Sequence, residues 1–478
     1  MNPDAPLPLE HPYVRAQISR RGARLNNARS RPGGDYVLYW MQSTHRLQEN
    51  WALRFATLQA DRLGLPLIVH QGLDPTYPHA NDRIHHFILS NAAELDAAAR
   101  AQGLTYRFVV RHDRADHQRV VDALAARAAL VVTDLFPTAG IAERNARVAG
   151  RVDCRMVAIE SYAIVPSGIF EKEEYAARTM RPRLLPWLTH ALQRVEDRPP
   201  RVSASSALVA SLPGTPLDFA SLDIAREVAR CDIDHTVPAV PLVSGLTAAR
   251  ARLTAFCRDT LPHYSRRRVD PNDDVGSSRL SPYLHFGQIA AAEVARTARD
   301  AGPADQVDAF LNELVVWREL ALNFCLHNPR HASLEALPPW VHKTMADHAT
   351  DPREGSYSLA RFESATTHDP LWNAAQHEIR QTGMMHNVVR MLWGKHFLAW
   401  APTYRQGLAW AIHLNNKYGL DGRDPGSYAG VQWCFGKFDR PFYNRPVFGL
   451  IRPMSLARAR EKWDVDQYVA RWTPPGLA

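Results

Sequence analysis

The sequence predicts two structural parts, an amino-terminal α/β domain with a doubly wound parallel sheet and an all-α carboxyl-terminal domain. Between residues 35 and 190, short runs of apolar and β-branched residues alternate with helical stretches. Strands that are apolar on both faces are typical of a parallel sheet covered by helices on each side. Beyond residue 245 the strand pattern fades, helical periodicity dominates, and nine of the twelve tryptophans occur.

The predicted strands are four short apolar runs, listed here in chain order: DYVLYWM (35–41), GLPLIVHQG (64–72), YRFVVRHD (106–113) and AALVVTDLFP (128–137). Helical stretches such as TLQADRLG and ILSNAAELDAAARAQG separate them. No GxGxxG follows the first strand, so the dinucleotide-binding fingerprint is absent.

Composition places the domain boundaries. Residues 1–34 carry six arginines and several prolines and are predicted to be a flexible basic tail. Residues 35–190 form the α/β domain, and 191–245, rich in Pro, Ser and Ala, form an interdomain connector. Residues 246–478 form the helical domain.

Charge and cysteine content narrow the function classes. The net charge is +8 and the pI is about 9.3, so a polyanionic partner is one of two open alternatives. The five scattered cysteines form no CxxC motif, which disfavours a disulfide framework or a zinc site. No apolar run is long enough for a membrane helix and no secretory signal is visible, so we expect a cytoplasmic protein.

Four segments of the helical half carry candidate functional residues. The segment GSSRLSPYLHFGQI (276–289) opens a helix with three serines, preceded by the arginine run HYSRRR (263–268). A helix start can bind phosphate through its free N–H groups, although an ordinary serine cap is the alternative. In LNELVVWREL (311–320), Glu313 and Trp317 are spaced i, i+4 and share one helical face.

In the third segment, 369–400, Trp393 and Trp400 lie two helical turns apart and Trp372 belongs to the preceding helix. Such tryptophans either pack in the core or form a chain of oxidisable rings, and the spacing alone favours the core. The fourth segment, LNNKYGLDGRDPGSY (414–428), combines asparagines, aspartates and three glycines and indicates either a surface turn or a ligand loop.

These segments resemble the DNA photolyase/cryptochrome family, and within it the class II cyclobutane pyrimidine dimer (CPD) photolyases. The strings that carry the resemblance span nearly the whole chain in the family's order: RLQENWAL (46–53), EYAARTMRP (174–182), SSRLSPYLHFGQI (277–289), THDPLWNAAQ (367–376), MHNVVRM (385–391), LNNKYGLDGRDPGSY (414–428) and RPVFGLIRPM (445–454). The strings EYAART and LDGRDP are characteristic of the class II branch.

The resemblance implies an α/β domain followed by a helical domain that binds FAD, the photolyase/cryptochrome architecture. It implies a carbon–carbon lyase that repairs pyrimidine dimers in UV-damaged DNA, using light and fully reduced FAD to donate an electron to a flipped-out dimer. It implies no membrane and no obligate protein partner, so we expect a monomer. A second, antenna chromophore in the α/β domain is left open, and its identity cannot be assigned.

The resemblance also carries residue roles. FAD-binding positions are Tyr264, Ser277, Ser278, Leu280, Ser281, Arg318, Asn387, Arg390, Asn415, Asp421 and Gly422, with Asn415 facing the reactive edge of the flavin. Dimer contacts are Glu313, Trp317, Met391 and Trp433, and phosphate contacts are Lys437, Arg440, Arg445 and Arg452. Trp393, Trp372 and Trp400 are the proximal, middle and distal members of a photoreduction chain.

The chain departs from the class II pattern in two places. The segment VQWCFGKFDRPFY (431–443) keeps Trp433 but differs after it, and Asn387 has the class I form. Two other functions remain as alternatives. A (6-4) photolyase is disfavoured because Met391 stands where that chemistry uses a histidine. A cryptochrome-like light receptor without repair activity is disfavoured because Glu313, Met391 and Trp433 are all present.

Overall fold

The α/β half of the protein is built on a six-stranded sheet, seen in a computed structural model that describes residues 6–116 and 119–475. The strands are β1 (Gly22–Arg24), β2 (Tyr36–Met41), β3 (Leu67–Leu73), β4 (Thr105–Val110), β5 (Ala128–Asp134) and β6 (Arg155–Ile159). Their order is β1-β6-β5-β2-β3-β4, and every pairing is parallel except that of β1 with β6. The order reverses at β2, so the sheet is doubly wound as predicted.

The helices of this half are α1 (Pro12–Arg21), α2 (Trp51–Leu63), α3 (Asp82–Ala101), α4 (Val120–Ala125), α5 (Ile141–Ala149) and α6 (Ala177–Ala191). Local sequence explains their ends. The Asn50 side chain accepts the N–H of Leu53 and caps α2, and Gly64, with a φ of 65°, ends it in the left-handed conformation.

The prediction of a flexible tail over residues 1–34 is wrong for the part from Pro12 to Arg24, and residues 1–5 lie outside the described residues. Arg21 at the end of α1 is buried and pairs with Glu160 at 2.9 Å. This ion pair fixes β1 against β6, where Gly22 pairs with Ile159. The sequence showed the arginines but not the distant carboxylate that neutralises one of them.

The connector contains two short helices, α7 (Ser206–Ala210) and α8 (Ile224–Ala229), and wraps around the β4 edge of the sheet. The N–H of Leu217 donates to Phe108 of β4 at 2.8 Å, and Arg107 donates to the carbonyl oxygens of Pro213 and Gly214. The connector therefore covers a sheet edge that would otherwise expose unpaired backbone groups.

The remaining residues form the helical half. Its helices are α9 (Leu246–Asp259), α10 (Tyr264–Arg267), α11 (Ser281–His285), α12 (Ala291–Arg299), α13 (Ala304–Leu311), α14 (Arg318–His327), α15 (Pro339–Asp347), α16 (Leu359–Glu363), α17 (Pro370–Thr382), α18 (Asn387–Trp400), α19 (Tyr404–Tyr418), α20 (Pro425–Cys434), α21 (Leu456–Arg460) and α22 (Val465–Trp472). A π-helical turn, Asn312–Trp317, joins α13 to α14. Among the described residues, no helix has both the length and the apolar character needed to cross a bilayer.

The two halves are joined by buried polar contacts. Arg83 of α3 donates to the carbonyl oxygens of Ile379 and Tyr418 in the helical half. Glu319 of α14 accepts the backbone N–H groups of Ile164 and Val165 at 2.8 and 3.0 Å. These contacts hold the α/β half against one wall of the cavity described next.

Candidate functional site: a cavity in the helical half

A cavity of about 570 Å³ opens in the helical half, a volume in the range usual for cofactor sites. Its walls come from the π-helical turn, α14, α18, α20 and the loop before α20. The lining residues are Tyr162, Arg268, Ser281, Leu284, Glu313, Trp317, Arg318, Leu320, Ala321, Asn387, Arg390, Met391, Asp421, Asp424, Gly426, Ser427, Ala429, Gly430, Trp433 and Phe438. Nine of the residues predicted for the site therefore line one cavity: Ser281, Glu313, Trp317, Arg318, Asn387, Arg390, Met391, Asp421 and Trp433.

One wall is polar and centred on an ion pair. Arg390 donates to the two oxygens of Asp421 at 3.2 and 2.8 Å. Burial acts to raise the pKa of Asp421, but the charge and hydrogen bonds of Arg390 outweigh it and hold that pKa below its ordinary value. The pair therefore stays ionised. Arg390 Nε is buried and has no partner among the described residues, so this wall has an unused donor.

The opposite wall is aromatic. The rings of Trp317 and Trp433 lie 4.6 Å apart with an interplanar angle of 32°. The indole N–H of Trp433 donates to Asp439 at 2.8 Å, and Lys395 Nζ, whose side chain is only 2 % exposed, lies 3.8 Å from the Asp439 carboxylate. Asp439 belongs to the segment that departs from the family pattern, so this chain holds Trp433 through a residue that the resemblance did not assign.

Glu313 and Trp317 both line the cavity because both belong to the π-helical turn. Such turns are rare and often occur at functional sites. The carboxylate of Glu313 accepts a hydrogen bond from Arg268 at 2.9 Å, and its side chain is 33 % exposed. The turn thus carries one charged and one aromatic group to the same opening.

Asn415 is not among the residues that line the cavity. It is 1 % exposed and lies behind the wall, where its Nδ2 donates to Ser427 Oγ at 3.1 Å. Ser427 Oγ in turn donates to the carbonyl oxygen of Asp421 at 2.8 Å. Asn415 therefore supports two lining residues through its Nδ2, while its Oδ1 is buried and has no partner among the described residues. Its contact with the flavin stays a prediction.

Five other predicted FAD contacts lie outside the lining. They are Tyr264, Ser277, Ser278, Leu280 and Gly422. Tyr264 packs its ring against Phe256 and Phe310, and the backbone carbonyl groups of Ser277 and Ser278 accept hydrogen bonds from Arg252. Their side-chain roles toward a ligand stay predictions.

The predicted phosphate contacts divide into two groups. Arg440, Arg445 and Arg452 are exposed. Lys437 is not available, because its ammonium lies 2.6 Å from Glu173, donates to the carbonyl oxygen of Ala336 and is 9 % exposed. The phosphate role predicted for Lys437 is therefore wrong, since a neighbouring carboxylate already neutralises it.

The three tryptophans predicted as a chain form a row. Trp372 lies between the other two, with ring centroids 6.2 Å from Trp393 at an angle of 9° and 6.2 Å from Trp400 at 63°. Trp393 lies one helical turn after Arg390 on α18, so the row starts beside the cavity wall. All three are at most 1 % exposed, and they also belong to the hydrophobic core.

Several lining residues were not predicted. Tyr162 follows β6, and its hydroxyl donates to Asp424 at 2.7 Å across 262 residues of sequence. Arg318 stacks its guanidinium 3.2 Å above the Tyr162 ring. Gly426 and Ser427 lie in the first turn of α20, and Gly430 lies in its middle. The glycines in 414–430 could have indicated that the start of α20 lines a site. No neighbouring sequence pattern indicates that Tyr162 does.

A second cavity, of about 400 Å³, lies at the carboxyl ends of β2, β3 and β5. This is the point where the strand order reverses, the usual ligand position in such sheets. Aromatic and apolar walls, including Trp40 and Phe136, face a set of arginines: Arg111, Arg119, Arg144, Arg147, Arg151 and Arg423.

Residues 37–202 match the family model DNA photolyase, and residues 310–476 match the model FAD binding domain of DNA photolyase. The chain is similar to the deoxyribodipyrimidine photo-lyase of Methanothermobacter thermautotrophicus, 36 % identical over 92 % of this chain and 94 % of the relative. It is also similar to that of Arabidopsis thaliana, 35 % identical over 91 % and 88 %.

Solved structures share the fold. A class III photolyase from Agrobacterium tumefaciens has a TM-score of 0.66 at 18 % identity and covers 93 % of this chain and 87 % of its own. An archaeal photolyase from Sulfolobus tokodaii, described with two FAD molecules, has a TM-score of 0.63 at 18 % identity over 91 % and 90 %. A Synechocystis cryptochrome has a TM-score of 0.68 at 16 % identity over 91 % and 88 %.

The sequence matches, the shared fold and the cavity all indicate the same family. The carboxyl-terminal half is an FAD-binding domain, its cofactor is FAD, and its relatives are lyases that act in DNA repair. The chain therefore belongs to the DNA photolyase family.

Proposed function

We propose that this protein repairs cyclobutane pyrimidine dimers in UV-damaged DNA with light, as a class II CPD photolyase. One observation carries the proposal: a single cavity joins the ionised Arg390–Asp421 wall to the Trp317–Trp433 wall, with Glu313 beside the opening. A cofactor with polar and planar parts suits the first wall, and a flat apolar lesion suits the second.

The residues present fit FAD. Arg390 Nε offers a buried donor that no described residue uses, and Ser281, Asn387 and Ser427 add hydroxyl and amide groups on the same wall. A Cβ added to Gly430 would meet no atom within 4 Å, so the middle of α20 leaves open space where a ring system can lie. When bound and fully reduced, FAD supplies one photoexcited electron to the dimer and takes one back after the cyclobutane bonds have opened.

The chain's own residues hold the lesion and exclude water. Extrusion of the target nucleotide from the duplex into a pocket is the general solution for enzymes that act on bases, and photolyases are among the known examples. Trp317, Trp433 and Met391 give the extruded dimer flat apolar walls. Glu313 accepts a hydrogen bond from Arg268 and so holds its guanidinium at the cavity, where that positive charge can stabilise the negative charge that develops on the dimer.

The buried tryptophan row has a separate role in this proposal. Trp393, Trp372 and Trp400 would pass electrons, one at a time, from a soluble reductant at the Trp400 end to the cavity wall, where bound oxidised FAD would take them up and the soluble reductant would be oxidised. The near-parallel contact of Trp393 and Trp372 supports this role. Exposed His368 lies 4.7 Å from Trp400 and marks the end of the row nearest to solvent.

The second cavity is the candidate antenna site. Asp74 and Asp122 of the same lining already pair with Arg111 and Arg151. The other arginines and the aromatic walls favour a planar chromophore that carries negative charge, such as one with phosphate groups. The protein acts on DNA as a monomer, and the exposed Arg440, Arg445 and Arg452 bind backbone phosphates. If all three do so, they contribute a slope of about −2.7 to the dependence of log affinity on log salt concentration.

The absorption spectrum of the purified protein and a repair assay test this function together. A flavin spectrum is expected, followed by light-dependent loss of thymine dimers from an oligonucleotide when the protein is fully reduced. Darkness is the matched control, because binding without light leaves the lesion intact. Reduced, flavin-loaded protein that leaves the dimers unchanged under blue light would contradict the proposal and favour the receptor alternative.

A further inference from the structure

One histidine connects the linings of the two cavities. His285, the last residue of α11, lines the second cavity, and its Nδ1 donates to Asp424 Oδ2 at 3.1 Å. Asp424 lines the cavity of the helical half, called the FAD cavity below. At this point a single hydrogen bond links the lining of one cavity to the lining of the other.

The position of the histidine ring is fixed from the FAD side. Asp424 Oδ1 accepts the hydroxyl of Tyr162 at 2.7 Å and the backbone N–H of Gly426 at 2.8 Å, which holds the carboxylate in place. Because Nδ1 carries its proton toward Asp424, Nε2 is the free nitrogen of the neutral ring. His285 is only 5 % exposed, and its Nε2 has no hydrogen-bond partner among the described residues.

The residue before Asp424 is a buried cation. Arg423 is 3 % exposed and lines the second cavity, where its guanidinium lies 5.3 and 5.8 Å from the ring centroids of Tyr77 and Phe286. Its Nε has no hydrogen-bond partner and its charge is not paired with a carboxylate, among the residues that the structure describes. An anionic group in the second cavity therefore meets a positive charge that no described residue neutralises.

The surroundings of His285 keep its ring neutral. Burial lowers the pKa of His285, Asp424 acts to raise it, and the positive charge of Arg423 lowers it further. The titratable and charged groups that face the ring are Asp424, Asp421, Arg423, His45 and Tyr162. Asp421 is paired with Arg390, and burial lowers the pKa of His45 to about 4, so neither changes its charge near pH 7. Neutralisation of Arg423 is therefore the change that lets His285 take a proton.

We propose that His285 is a proton-linked relay through which an anionic occupant of the second cavity favours the reduced state of FAD. When the anionic group neutralises Arg423, His285 takes a proton from solvent on Nε2 while Nδ1 keeps its hydrogen bond to Asp424. The new positive charge beside the FAD cavity stabilises the negatively charged, reduced flavin. By linkage, reduction of FAD strengthens binding of the anionic group by the same factor. The natural trigger rests on the antenna role proposed above, whereas the relay itself is tested by substitution.

Histidine NMR on the full, FAD-loaded chain tests the first step, with His285→Gln to identify the signal. Arg423→Gln removes the charge and is expected to raise the pKa of His285 by about one unit or more. Arg423→Lys keeps the charge and is the matched control, with His285 expected to titrate as in the parent. If Arg423→Gln does not fold, Arg423→Asn replaces it, because asparagine tolerates the left-handed backbone at this position, where φ is 65°. An unchanged pKa of His285 in the uncharged variant would overturn the proposal.

The midpoint potential of bound FAD tests the second step. In Arg423→Gln this potential is expected to fall as the pH rises through the raised pKa of His285, because the positive charge is present only below that pKa. In the double variant, Arg423→Gln with His285→Gln, this fall is expected to disappear. Identical pH profiles for the single and the double variant would contradict the relay. The spectrum of the purified parent tests the antenna proposal separately: absorption by FAD alone would contradict that proposal and leave the substitution results as they stand.

Discussion

Two groups of tryptophans in the helical half show how one type of side chain serves two purposes. Trp372, Trp393 and Trp400 are almost fully buried, and the indole N–H groups of the first two donate to Trp393 O and to Gln376. Trp317 and Trp433 are only partly buried and line the cavity. A ring packed on all sides is shielded from water and suits electron transfer, whereas a ring with one free face suits ligand contact.

Removal of a ring from the buried row is the sharpest test of this difference. Trp393→Phe is expected to stop photoreduction of bound oxidised FAD, because phenylalanine is much harder to oxidise than tryptophan. Repair by chemically reduced protein is expected to continue. Absorbance changes under blue light measure the first effect, and loss of dimers measures the second. Trp410→Phe, a partly buried tryptophan outside the row, is the control, and normal photoreduction by Trp393→Phe would show that the row is only core packing.

Trp317, one of the two cavity-lining tryptophans, lies close in the chain to a buried carboxyl group whose ionisation depends on pH. Glu319 follows Trp317 by two residues and is buried, and burial raises the pKa of its carboxyl group to about 7. In the unfolded chain the group ionises at lower pH, so its contribution to stability is complete at low pH and is lost as the pH rises toward 7. Glu319→Gln keeps an acceptor for the N–H groups of Ile164 and Val165 without that loss.

The free energy of unfolding of Glu319→Gln, relative to the parent, is therefore expected to rise between pH 5 and pH 8, by no more than about 3 kcal/mol. Urea denaturation at the two pH values measures it. The ring contacts that Trp372 and Trp393 make with other residues are with Phe362, Phe397 and Trp400, none of which ionises in this pH range. Trp393→Phe is therefore expected to shift stability equally at both pH values. An equal shift for Glu319→Gln would remove Glu319 as the source of pH dependence.

If Trp317 and Trp433 contact the lesion, a change in either one alters the affinity for dimer-containing DNA. Trp433→Ala is expected to weaken binding of dimer-containing DNA about tenfold, or roughly 1.4 kcal/mol, through loss of one apolar wall. Photoreduction of FAD is expected to stay normal, which is the opposite of the pattern for Trp393→Phe. Binding measured in the dark and photoreduction measured without DNA separate the two. Loss of photoreduction in Trp433→Ala would place both tryptophan groups in one electron path.

The smallest expected effect concerns how Trp433 is held. Asp439→Ala removes the acceptor of the indole N–H and is expected to weaken lesion binding about threefold, in line with the loss of one hydrogen bond. Asp439→Asn keeps an acceptor oxygen but removes the charge beside Lys395. Comparison of the two variants in dark binding assays isolates the hydrogen bond, and identical affinities for both would mean that the position of the indole does not depend on it.

Short-range sequence patterns determined most of the strands and helices of the α/β half. The alternation of apolar runs and helical stretches predicted β2 to β5 and the helices between them, because strand and helix periodicity reflect contacts among neighbouring residues. The i, i+4 spacing of Glu313 and Trp317 placed these two residues near each other for the same reason, and both line the cavity. The family resemblance added the roles, which spacing alone left open.

Only the tertiary structure decided the rest, and each case depends on residues far apart in the chain. Arg21 is ordered by Glu160, 139 residues away, which turned a predicted tail into α1 and β1. Lys437 is neutralised by Glu173, Asn415 lies behind Ser427, and Tyr162 reaches Asp424 from the other half. The sequence does not show whether solvent or a distant residue forms the hydrogen bonds of a charged or amide side chain. Tertiary packing decides this, because a polar group that becomes buried must pair with another group.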